Sequence, residues 1–164
     1  MAKISTDQPL VPSVLDRLLD FDRSAREEPP KSQVQVLAEL RESVRRDLTD
    51  MLNTHARCRS WPEELAELDR SILSTGIPDA GTADLAREQG RRDLARSIER
   101  TIRQFEPRFK TVKVVLLENA DALDRTLRFR IEALLHAYPA PEPIAFDSAL
   151  QPITGNYSVK SSSR

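Results

Sequence analysis

The chain is poor in the residues that most chemistries require. Its 164 residues include one cysteine, Cys58, so no internal disulfide can form. The four glycines, at positions 76, 81, 90 and 155, are too few and too scattered for a P-loop or a dinucleotide-binding turn. The two histidines, His55 and His136, lie far apart, and neither has Cys, Asp or Glu at a recognised metal-ligand spacing; Cys58 follows His55 by three positions but has no further partner. No metal or cofactor is therefore expected. There is no G-x-S-x-G turn and no supported Cys/His pair, which removes the common nucleophilic arrangements. The opening MAKISTDQPLVPSV holds no apolar run suited to a signal peptide or a membrane span, so a cytoplasmic protein without direct membrane insertion is expected. An excess of charge is missing too: 25 Lys plus Arg face 26 Asp plus Glu, for a net charge of -1, which argues against a dedicated polyanion binder.

What remains is ordinary globular material. Hydrophobic residues make up 39% of the chain, and a domain of this size buries about 70% of its unfolded surface, so a core can close without metal or disulfide help. Length suggests one domain over residues 10–159, with a disordered N-terminus at 1–9 and a polar tail at 160–164. Of the cations, 20 are Arg and 5 are Lys, a bias toward forked donors that suit carboxylates at interfaces, though genomic base composition explains it equally well.

Helices are expected over 12–105 and strands over 109–159. A first helix should begin near Pro12, with Val14, Leu15, Leu18 and Leu19 on one stripe. Asp22 to Lys31, with Pro29-Pro30, reads as an exposed linker. Beyond the candidate N-cap Ser32, Leu37, Leu40, Val44, Leu48 and Met51 recur at helical spacing and predict a long helix from Gln33 to about Thr54. A shorter helix is expected from Glu63 to Leu73, with Leu65, Leu68 and Ile72 inward and Gly76 ending it, followed by a turn from Ile77 to Gly81. After Thr82, Leu94, Ile98, Ile102 and Phe105 predict another long helix, stopped by Pro107 and open to a break at Gly90. The period then changes to two. Val112, Val114 and Leu116 alternate with Lys113, Val115 and Leu117, and Leu127, Phe129, Ile131 and Ala133 alternate with Arg128, Arg130 and Glu132. Pro139, Pro141 and Pro143 read as a stiff bridge to two short strands, Ile144 to Leu150 and Asn156 to Val159, joined by a turn.

Two charged features stand out. Residues 87–108 carry seven cations against four anions, with Arg92, Arg96, Arg100 and Arg103 as a stripe that reads as a solvated or partner-facing helix side. The other is Glu106-Pro107-Arg108, at the switch from helix to strand. A residue before proline is pushed toward extended backbone, so the Glu106 carboxylate leaves the helix line and can reach Arg108 or another arginine. The tripeptide is either a corner locked by a half-buried ion pair or a helix stop with exposed charges.

Five segments occur in the order seen in a known family: Ser13 to Leu18 (SVLDRL), Ser43 to Thr54 (SVRRDLTDMLNT), Ser71 to Asp79 (SILSTGIPD), Phe105 to Arg108 (FEPR) and Ile144 to Ser148 (IAFDS). The chain resembles TssE, the baseplate subunit family of type VI secretion, related to the lysozyme-like wedge proteins of contractile phage tails. It departs at His55, where the family often has arginine, and at Thr75, where it often has an aromatic. The resemblance implies an α+β fold, with N-terminal helices packed on a small, mainly antiparallel sheet of three to four strands. It also implies a place in the baseplate wedge with TssF and TssG, next to TssK, where the sheath of TssB and TssC begins. By that likeness the sheet would accept sheath strands, and a short final strand near Tyr157 would leave an edge to be covered.

The expected function is a non-enzymatic assembly protein whose Glu106-Pro107-Arg108 corner and C-terminal sheet form the binding face. A lysozyme-like hydrolase is the alternative, but glycoside hydrolysis needs two carboxylates, one kept protonated, and a cation beside Glu106 lowers a carboxylate pKa instead. Nucleic-acid binding is the remaining alternative, weakened by Asp93 and Glu99 within the arginine stripe.

Overall fold

The computed structural model describes residue 18 and residues 32–57, 60–78, 85–119, 124–136 and 140–162. The expected disordered N-terminus, the linker and most of the first helix lie outside these residues; Leu18 itself is helical and exposed.

Helix α1 spans Gln33–Leu52. Ser32 starts it with a reciprocal cap: the Gln35 N–H donates to Ser32 Oγ at 3.3 Å, and the Ser32 N–H donates to Gln35 Oε1 at 2.9 Å. Leu40, Val44, Leu48 and Leu52 recur every fourth residue and are buried, while Leu37 and Met51 flank the core. Asn53 caps the C-terminus.

The expected helix from Glu63 to Leu73 is instead two short 3-10 segments, Glu63–Arg70 and Ile72–Ser74. Leu65 and Ile72, expected inward, are exposed, Ile72 by 86%. The break has a local cause. The Leu68 carbonyl accepts from the Ser71 N–H and from the hydroxyls of Ser71 and Ser74, so serine side chains take the place of an α-helical ladder. Gly76 follows the C-cap Thr75 with a positive φ, the position at which a glycine ends a helical segment. Gly76 has a φ of 124° and packs directly on the chain leaving α1, where an added Cβ would lie 2.5 Å from Thr54 O. That approach lets the Ile77 N–H reach Thr54 O at 2.8 Å and the Ala56 N–H reach Ile77 O at 3.0 Å. Ile77 is consequently a fully buried core residue, and residues 79–81 of the expected turn lie outside the described ones.

Helix α2 spans Glu88–Phe105 without interruption. Gly90 does not break it because it sits in the first turn, where amide groups lack intrahelical partners and helix propensity weighs least. Leu94, Ala95, Ile98 and Ile102 are its buried face.

Strands β1 (Phe109–Leu117), β2 (Leu127–Leu135), β3 (Glu142–Gln151) and β4 (Asn156–Ser161) form one sheet in sequence order, every neighbour antiparallel. The architecture is α+β, with helices preceding strands. Alternation sorts the sheet into two faces. Phe129, Ile131 and Leu135 of β2 and Phe146 and Leu150 of β3 join α1 and α2 in one apolar cluster. Arg128, Arg130 and Glu132 point the other way, with Arg130 paired to Asp147 on β3 at 2.7 Å. Pro143 belongs to β3, opposite Leu134, rather than to a bridge outside the sheet. Among the described residues β4 bonds to β3 no further than Ala145, whose O accepts from the Ser162 N–H, so none of them needs an N–H at position 143. β4 continues through Lys160 and Ser161, into the expected polar tail.

Two measurements test this packing. Gly76→Ala combines a left-handed backbone with a clash against main-chain atoms, and we expect urea denaturation to show a loss of about 3 kcal/mol or more. Asp124, before β2, accepts from Thr126 and then Arg128, and its carboxyl is held down to about 2. Its stabilising contribution is full above the unfolded carboxyl value and is lost as pH falls through about 2. An NMR titration should find that midpoint, and one near 4 would contradict the hydrogen bonds.

Candidate functional site

Where α2 stops, Glu106 takes extended backbone, with φ of -113° and ψ of 86°, as a residue before proline must. Its N–H still donates to Ile102 O at 2.9 Å, so the helix closes cleanly while the side chain turns inward. Glu106 is 3% exposed. A carboxylate so deeply placed needs donors, and the next turn supplies them: the Arg108 N–H donates to Oε1 at 3.1 Å, Nε to Oε1 at 2.7 Å and Nη2 to Oε2 at 2.5 Å.

The guanidinium also reaches α1. Nη1 donates to Ser43 Oγ at 3.1 Å and Nη2 to Asp47 Oδ2 at 2.5 Å. Ser43 and Asp47 are one turn apart on α1, so a single planar fork joins that helix to the α2–β1 joint. Burial opposes the charge on Arg108, but hydrogen bonding and attraction from Glu106, and then from Asp47, outweigh it and raise its pKa above the ordinary value. Arg46 adds a weaker ion pair to Asp47 at 3.6 Å. The sequence brought out Glu106 and Arg108 but missed Ser43 and Asp47, although both lie in the quoted segment Ser43 to Thr54. No local pattern distinguishes a serine and an aspartate that meet an arginine more than sixty residues later. Pro107 is exposed and contributes only the backbone restriction.

The edges of the sheet are also fastened to the helices. On β1, Arg103 Nη2 donates to Val112 O at 3.3 Å and the Val114 N–H donates to Glu99 Oε2 at 3.1 Å, while Arg103 and Glu99 pair at 2.6 Å. On β4, the Tyr157 N–H donates to Asn53 Oδ1 at 2.9 Å and Asn53 Nδ2 donates to Tyr157 O at 3.0 Å. Arg45 Nη1 adds a contact to Val159 O at 3.4 Å. The edge expected to lie open near Tyr157 is thus already occupied, because a side-chain amide carries the same donor and acceptor as a peptide group.

The arginine stripe is largely neutralised along its own helix. Arg92 pairs with Glu88, Arg96 with Asp93 and Arg103 with Glu99. His55 and His136 are exposed, and Cys58 lies outside the described residues. Among the described residues no three His, Cys, Asp or Glu side chains converge. No described helix is long and apolar enough to cross a membrane.

A family model described as baseplate wedge protein gp25 matches residues 38–140, more than half of the chain. The chain belongs to this baseplate wedge family. Within the wedge family, TssE is the type VI secretion homologue, in keeping with the resemblance of the five segments. No curated protein matches the chain. The matched stretch contains Ser43, Asp47, Asn53, Glu106 and Arg108, but stops before β3 and β4. The wedge family's match therefore holds the whole corner and only one side of the Asn53–Tyr157 link.

Substituting Arg108 tests the corner. Arg108→Ala leaves Glu106 buried without its cation, and thermal or urea denaturation should show a loss of about 3 kcal/mol. Arg108→Lys keeps the charge but cannot fork to Ser43, Asp47 and Glu106 together, so an intermediate loss is expected. Equal stability of all three proteins would mean that the corner carries no weight.

Proposed function

We propose that this protein is a non-enzymatic component of a type VI secretion baseplate wedge that binds TssF, TssG and TssK in the cytoplasm and serves as the platform on which the TssB–TssC sheath begins. The single observation that carries this reading is membership of the baseplate wedge family over residues 38–140. The corner supports it: Glu106-Pro107-Arg108 sets the angle between α2 and β1 and ties α1 to both, so it presents the sheet to neighbours in one fixed orientation.

The chemistry of the corner speaks against hydrolysis. A general acid must keep a proton and present it to a sugar oxygen. Glu106 is buried, and its two oxygens accept three bonds from Arg108, so both are engaged within the corner. Nucleic acid is an equally poor partner for an arginine face paired to Glu88, Asp93 and Glu99.

Co-expression with TssF, TssG and TssK is the test. The wild type should elute with the wedge subunits, and Arg108→Lys should elute with them less completely although it is folded. The purified protein should leave peptidoglycan turbidity unchanged. Clearing that disappears in Glu106→Gln would replace this reading with a hydrolase.

A further inference from the structure

The two 3-10 segments, which neither the corner nor the sheet uses, leave apolar side chains in water. Between Trp61 and Leu73, Leu65, Ile72 and Leu73 are exposed and Trp61 is half-buried. Their backbone is held in place. The hydroxyls of Ser71 and Ser74 on the Leu68 carbonyl fix the turn that carries Ile72, and Trp61 Nε1 donates to Asp69 Oδ1 at 2.8 Å. A fixed turn with an apolar side chain outward has the form of an interface anchor.

The charges around this turn define what it fits. Glu63, Glu64, Glu67 and Asp69 are exposed, and Arg70 is the one cation among residues 61–73. None of these five has an ion pair among the described residues. Helix α2 lies beside them: Gln104 Nε2 donates to Asp69 O, and Thr101 Oγ1 to Gly76 O at 3.5 Å. One and two turns back from Gln104, Arg100 and Arg96 are exposed. Arg100 has no ion pair among the described residues, and Arg96 holds Asp93 only at 3.5 Å, a surface pair of little worth.

An acidic, apolar strip and a basic strip therefore run side by side on one surface. Turned through a two-fold axis, such a surface complements a second copy of itself, each basic strip meeting the other's acidic one. The apolar turn fits the same arrangement, because an arginine stem packs on a hydrocarbon side chain while its guanidinium reaches a carboxylate.

We propose that the protein pairs in solution with a second copy of itself through this surface, Ile72 of each copy seated on Arg96 and Arg100 of the other, with Glu63, Glu64 and Glu67 answering those guanidiniums. The pairing is independent of the wedge reading above.

Sedimentation equilibrium of the full chain from about 1 µM to about 1 mM should show a monomer–dimer transition, weakened on raising salt from about 50 to about 500 mM. Trp61, the one tryptophan of the chain, lies in the surface, so its emission should change on dilution over that range. Ile72→Asp should weaken pairing about tenfold or more at an unchanged melting temperature, because Ile72 is exposed. Arg100→Glu and Glu67→Arg should each weaken it about three- to tenfold, and the two substitutions combined in one chain should recover most of the loss. A wild type that stays monomeric up to about 1 mM, a dimer indifferent to Ile72→Asp, or a combined variant that recovers nothing would overturn the proposal. So would growth beyond two copies, which requires a head-to-tail contact. Binding of a basic amphipathic peptide to a wild type that remains monomeric, abolished by Ile72→Asp, would assign the surface to another protein and overturn the pairing.

Discussion

The Arg108 guanidinium is the point through which the arrangement of the molecule runs. The Glu106 carboxylate is buried and accepts three bonds from Arg108, and Arg108 is held too firmly by Glu106, Ser43 and Asp47 to move alone. Removing any one partner leaves another in a poor environment, so the four act as a unit. The unit joins three elements: α1 through Ser43 and Asp47, α2 through its cap residue, and β1 through the residue that precedes it. Once those are fixed, the buried faces of both helices can lie only over the inward face of the sheet, where Ile131, Phe146 and Leu150 meet Val44, Leu48 and Ile98.

The same fastening decides how the sheet ends are treated. A four-stranded open meander has two rows of unpaired peptide groups, a standing invitation to unwanted pairing. Here the helices that cover the face also supply side chains to the edges: Glu99 and Arg103 on one side, Asn53 and Arg45 on the other. A single set of helices thus covers the core and restrains the margins. The outer face is left to solvent-compatible pairs such as Arg130 with Asp147.

Much of this was legible in the chain. The apolar stripe of α1 and the alternation of β1 and β2 are one-element patterns, and they predicted those elements within a few residues. The Glu-Pro-Arg tripeptide was legible because proline restricts its neighbour. Features that depend on two distant segments were not. Asp47 and Asn53 look like ordinary polar residues of a helix until Arg108 and Tyr157 arrive beside them. Ile72 matched a helical period, but the hydroxyls of Ser71 and Ser74 competed for the Leu68 carbonyl and won. Gly76 read as a helix terminator, and it does follow the C-cap Thr75, but that it also lets two stretches of main chain touch was not visible. Pro143 read as a spacer because the uneven lengths of β3 and β4 cannot be seen from either strand alone.

The link between Asn53 and Tyr157 joins residues 104 positions apart, and it has a bearing on biosynthesis. At about 5 to 20 residues per second, a ribosome needs roughly 5 to 20 s between making one and making the other. During that interval the greasy side of α1 has been made but its final neighbour has not. The nascent polypeptide therefore depends, for those seconds, on chaperones or on provisional packing to keep Val44, Leu48 and Leu52 from sticking to other chains.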